Sequence, residues 1–122
     1  MSIERRRAPR YQFVADAEVL ETASGARSKV KTGDLSLGGC FLDMLNPSEE
    51  GIEIQITIWR AACSFTALGR VVFVFPRLGM GVAFTRVEPD QLRTLEEWLA
   101  ELEGHRCATV SVDANSGRGD RS

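Results

Sequence analysis

Histidine is nearly missing: His105 is the only one in 122 residues. Its scarcity leaves no Ser-His-Asp triad of the usual kind and no histidine cluster to hold a metal. Cysteine is sparse as well. Cys40, Cys63 and Cys107 make an odd count with no CxxC pair and no histidine cluster nearby, which argues against both a disulfide framework and a zinc site. Idle thiols are expected. No apolar run approaches the roughly 20 residues that span a bilayer, so membrane insertion is not expected. The opening MSIERRRAPR places no apolar stretch behind its charges and so differs from a secretory signal, and a cytoplasmic location is expected. An excess of one charge is lacking too. With 15 basic against 17 acidic residues the net charge is -2, which excludes a protein that coats nucleic acid by general basicity.

What remains is an ordinary soluble composition, 43% hydrophobic and 26% charged, in a length that suits one domain with its own core. From Tyr11 to Thr85 the chain reads as strands and turns. ADAEVLET (15–22) and RSKVKTGDLS (27–36) flank a polar turn at Ser24 and Gly25, the pattern of a hairpin. In GIEIQITIWR, Ile52, Ile54, Ile56 and Ile58 alternate with Glu53, Gln55, Thr57 and Trp59, so one face is apolar and the other mostly polar. FTALGRVVFVF (65–75) and GMGVAF (79–84) meet through Pro76 to Leu78 as a second hairpin. VVFVF is expected to pack the barrel, with alternate residues outward and needing cover, and Trp59 is expected either to pack under the helix, the favoured reading, or to form an exposed patch for a partner. No helix-length segment separates these strands, which favours an antiparallel barrel or sandwich over a parallel sheet.

The period changes after Pro89. Leu92, Leu95, Leu99 and Leu102 recur at spacings of three and four, with Glu96, Glu97, Glu101 and Glu103 largely opposite, which predicts a helix over about 89–103 ended by Gly104. The glutamates read as a solvated face rather than an acid and base pair. Residues 105–122 lose periodicity and read as a disordered tail, in which His105 is a bland helix-end residue and the RGD at 118–120 is chance.

Positive charge is concentrated at one place. ERRRAPR puts Arg5, Arg6, Arg7 and Arg10 just before the first strand, and Pro9 disfavours helix there, so residues 1–10 form an extended or turning arm. Guanidinium stays charged, forks onto phosphate oxygens, offers two donors to the O6 and N7 edge of guanine and stacks on flat rings. A solvated basic terminus is the plainer alternative. The second cluster is GDLSLGG (33–39), where Asp34 and Ser36 are two apart and Gly39 follows at a turn or a point of close approach. A carboxylate there accepts from guanine N1 and N2 or pairs with an arginine of the arm. A turn capped by its own side chains is the alternative.

Taken together, RxxxR at Arg6 and Arg10 followed by DxSxxG at Asp34, Ser36 and Gly39 resembles the PilZ domain family, whose members bind the bacterial second messenger cyclic di-GMP. The resemblance continues through GGCFLDM and GMGVAF to the helix, roughly residues 4–103. It implies a mainly all-β fold, a six-stranded antiparallel barrel spanning 11–104 with a C-terminal helix, and an arginine arm that wraps the nucleotide. Arg6 and Arg10 are then expected on phosphates and guanine edges, Asp34 and Ser36 on guanine and phosphate groups, and Gly39 where the ligand comes close, with Arg5, Arg7 and Gly38 as helpers. No cofactor or metal is expected. The reading that follows is a non-catalytic receptor that orders its arm on binding and relays the signal to a protein target that no motif names, and no motif sets the oligomeric state. The rival readings are an adaptor of the same fold acting without nucleotide, and an arginine-arm nucleic-acid binder whose affinity falls steeply with salt and ignores Asp34.

Overall fold

The computed structural model describes residues 9–111, with side chains described through Gly104. The chain runs β1 (Tyr11–Gln12), β2 (Asp16–Glu21), β3 (Arg27–Leu35), β4 (Gly39–Asp43), β5 (Glu53–Arg60), β6 (Cys63–Phe75), β7 (Gly79–Arg86) and α1 (Pro89–Ser111). Every strand pair is antiparallel. The order β3-β2-β5-β6-β7-β4 closes on itself through a β3–β4 pairing, giving a six-stranded barrel, while the short β1 adds to the edge that β3 offers beyond β2. Closure matters because it leaves no long open edge for another strand.

Alternation builds the interior. Ile54, Ile56 and Ile58 of β5 point inward with Val19, Leu35, Leu42, Phe65, Val71 and Met80, all at most 2% exposed. Each such side chain contributes about 1.5–3 kcal/mol through burial. The buried hydroxyl of Thr32 is satisfied where the chain passes from β1 to β2: it donates to the Phe13 carbonyl and accepts the Ala15 N–H at 2.9 Å. That pair of bonds fixes the base of the N-terminal segment against β3.

Helix α1 closes one end of the barrel. Leu95 and Trp98 are buried, and the Trp98 ring lies 5.7 Å from Phe13 and 6.3 Å from Phe65. Leu99 and Leu102 pack against the same cluster, while Glu96, Glu97, Glu101 and Glu103 face outward. Gln91 caps the open β6 edge by accepting the Thr66 N–H at 2.7 Å, and Glu101 pairs with Arg60. Two expectations change here. The helix does not stop at Gly104 but continues to Ser111. One glycine costs a helix only about 1 kcal/mol, and Gly104 lacks the positive φ of a C-terminal stop. Of the two readings of Trp59, the exposed one holds and helix packing does not: it is 43% exposed beside Asp16 and Glu18, because Trp98 anchors α1 over the barrel end instead of the outer face of β5. Residues 112–122 lie outside the described residues.

Candidate functional site

The most specific polar contact on the outer wall joins the two sequence clusters. Arg10 forks onto Asp34, with Nη2 to Oδ1 at 2.9 Å and Nε to Oδ2 at 3.3 Å. Asp34 Oδ1 also accepts the Phe41 backbone N–H at 3.1 Å, so the carboxylate is held by β4 as well as by the arginine. A bulge sets this geometry. Between Thr32 and Asp34 the β3–β4 register shifts, so Gly33 and Asp34 share the interval between Leu42 and Phe41, and Asp34 turns outward beside Phe41. The pair is partly open to solvent, with side chains 48% and 32% exposed. An ion pair of that exposure contributes about 0.2–1 kcal/mol, so exchanging one partner for an incoming anion or ring costs the fold little.

Ser36 takes a different position from an open phosphate ligand. It is 3% exposed; its N–H donates to the Gly39 carbonyl at 2.8 Å, its hydroxyl donates to the same oxygen at 3.2 Å and accepts the Gly38 N–H at 3.3 Å. The capped turn that the sequence offered as an alternative is therefore present, and it shapes the loop 36–39. Gly39 is needed for packing: a Cβ there would fall 2.1 Å from the Val82 carbonyl oxygen of β7. Nothing lies within 4 Å of the corresponding point on Gly38, so the open backbone of this loop is at Gly38. The Gly38 carbonyl accepts the Phe84 N–H at 2.8 Å and ties the loop to β7. Arg5, Arg6 and Arg7 lie outside the described residues.

Sequence reasoning missed an aromatic face beside Asp34. Phe41, Phe73 and Phe75 gather on the barrel exterior, with ring centroids 6.2 Å (Phe41–Phe73), 6.3 Å (Phe41–Phe75) and 5.3 Å (Phe73–Phe75) apart. Register links them to the ion pair: Asp34 opposes Phe41, Phe41 opposes Gly81, and Gly81 opposes Phe73. A second bulge, between Val71 and Phe73, turns both Val72 and Phe73 outward, which strict alternation along VVFVF could not reveal. The available signal was the glycine pair in GMG. A Cβ on Gly81 would meet the Phe73 ring at 2.2 Å, so the ring lies over bare backbone.

Cys40 is buried and its thiol is pushed up to about 12, by burial first and by the Asp34 charge second, so it stays protonated and inert. Among the described residues no cluster of His, Cys, Asp and Glu could hold a metal, and no helix is long and apolar enough to cross a membrane.

The chain is thus a small domain of the class of closed antiparallel barrels capped by one helix, with a forked Arg10–Asp34 pair on its outer wall. The PilZ domain profile matches residues 4–101, and the chain belongs to that family. Several solved structures share the fold. MotI/DgrA, the inhibitor of motility of Bacillus subtilis, superposes with a TM-score of 0.72 at 13% identity over 85% of this chain and 54% of that one. The PilZ domain of YcgR from Escherichia coli, solved with c-di-GMP, gives 0.68 at 18% identity over 89% and 99%. The PilZ domain of CeSA from a cellulose synthesizing bacterium gives 0.64 at 18% over 78% and 98%. The chain thus spans nearly all of the isolated domains and about half of MotI/DgrA. No curated protein matches the sequence.

Proposed function

We propose that the protein is a non-catalytic receptor for cyclic di-GMP, bound on the barrel exterior by Arg6, Arg10, Asp34, Ser36 and Gly39, with Arg5, Arg7 and Gly38 assisting. The observation that carries the reading is the forked Arg10–Asp34 pair, held by the Phe41 N–H and exposed enough to exchange. The E. coli YcgR domain of the same fold, solved with c-di-GMP, supports the ligand class. In this reading Arg6 and Arg10 fork onto phosphate oxygens or guanine edges, and Asp34 accepts from guanine N–H donors. Ser36 acts through the loop it caps, which presents the Gly38 backbone to the ligand. The signal leaves through the arm. Its base, Pro9 and Tyr11, shares a groove of about 240 Å³ with Leu37 of the loop and Glu96, Leu99 and Glu103 of α1, so ordering the arm changes a surface that a protein partner can read.

Calorimetric titration of the purified chain tests this, with Arg6→Ala, Arg10→Ala and Asp34→Ala alongside and GTP as control. The expected result is saturable binding of cyclic di-GMP, weakened about tenfold or more by each variant and not mimicked by GTP. Absence of binding by the parent chain would favour the adaptor reading.

A further inference from the structure

Resting on that reading, we propose that Phe41 and Phe73 form a stacking platform for a guanine ring of the same ligand. Three observations converge. The rings are nearly parallel, 23° between planes, and Phe73 is 39% exposed within an apolar patch that Phe75 extends. Gly79 and Gly81 leave no side chains beneath them: positions where a Cβ would stand lie 2.9 Å and 2.2 Å from the nearest ring atom of Phe41 and Phe73. Each ring covers glycine backbone, with Phe73 exposed and Phe41 half-buried beside it. Finally, the platform is continuous with the polar site. Phe41 is the cross-strand partner of Asp34 and donates its own N–H to that carboxylate, and directly opposed side chains stand about 5 Å apart. A guanine whose N1 and N2 donate to Asp34 therefore has its plane within stacking reach of Phe41, while Arg10 remains on the other side of Asp34 for the phosphate. Protein partners also choose exposed aromatics, but the continuity with a carboxylate and a forked cation fits a purine better than an apolar peptide.

The test is titration of Phe41→Leu and Phe73→Leu with cyclic di-GMP, compared with the parent chain, Phe73→Trp and Arg10→Ala. Thermal melts report whether each variant is folded. Leucine keeps apolar volume over the glycines and removes the π face. Stacking of a base on an aromatic face strengthens binding, so each leucine variant should lose about tenfold in affinity while Phe73→Trp retains it. In the parent complex the guanine H8 proton should shift upfield from ring currents, and that shift should shrink in the leucine variants. Leucine variants that bind within twofold of the parent, with an unchanged H8 signal, would overturn the platform while leaving the receptor reading intact if Arg10→Ala still loses binding. No binding by the parent would overturn both.

Discussion

Asp34 has two separable duties, and substitution can tell them apart. Asp34→Ala removes both the Arg10 partner and the acceptor for the Phe41 N–H; the latter should cost about 1 kcal/mol, which lowers the melting temperature by several degrees. Asp34→Asn keeps an oxygen for Phe41 and should melt close to the parent, yet both variants should lose cyclic di-GMP. Cys40 makes a second prediction at this scale. Its folded thiol titrates near 12 against an ordinary 9.0, because burial and the Asp34 charge disfavour the thiolate. Above pH 9 the unfolded chain releases this proton and the folded chain keeps it, so the unfolded state binds fewer protons and stability falls as pH rises from 9 toward 12. Denaturant midpoints measured across that range should fall less steeply for Cys40→Ala than for the parent. Equal slopes would contradict the assignment.

At the scale of elements, glycine and the bulges decide more than propensity does. Gly39→Ala would drive a methyl into the Val82 carbonyl where β4 meets β7, both backbone, so little can move aside. We expect loss of folding, or a destabilisation above about 3 kcal/mol, read by denaturant titration. Gly104 points the other way. Because it lies inside α1 with nothing near its Cβ position, Gly104→Ala should raise stability by up to about 1 kcal/mol. A helix that ended there would be destabilised by the same change, so the sign of the shift in melting temperature decides. The isoleucine strand, both hairpins and the leucine stripe were legible in the sequence because a period of two or of three and four is a local property. The bulges at Gly33–Asp34 and at Val72–Phe73 were not, since they depend on which strand lies alongside, and they are what turn Asp34 and Phe73 to the same exterior. Ser36 was legible as a motif member but its burial was not, for the loop that encloses it is fastened by Phe84 from the far end of the chain.

For the whole molecule, the division of labour is clear from where charge and apolar surface fall. The near-neutral chain keeps its core inside a closed barrel sealed by Trp98 and Leu95, and sets the Arg10 guanidinium, the Asp34 carboxylate and flat rings side by side on the outer wall. A basic arm acting only as a nucleic-acid binder would have no need of Asp34, and its affinity would collapse with salt. In the proposed receptor, cyclic di-GMP binds across the Arg10–Asp34 pair. The most direct measurement is an amide-resolved magnetic resonance titration of the labelled chain with cyclic di-GMP. The account predicts saturable shifts concentrated at the amides of Phe41 and Gly38, with GTP producing none of comparable size. Unmoved Phe41 and Gly38 amides at saturating nucleotide, or shifts confined to another face of the barrel, would contradict it.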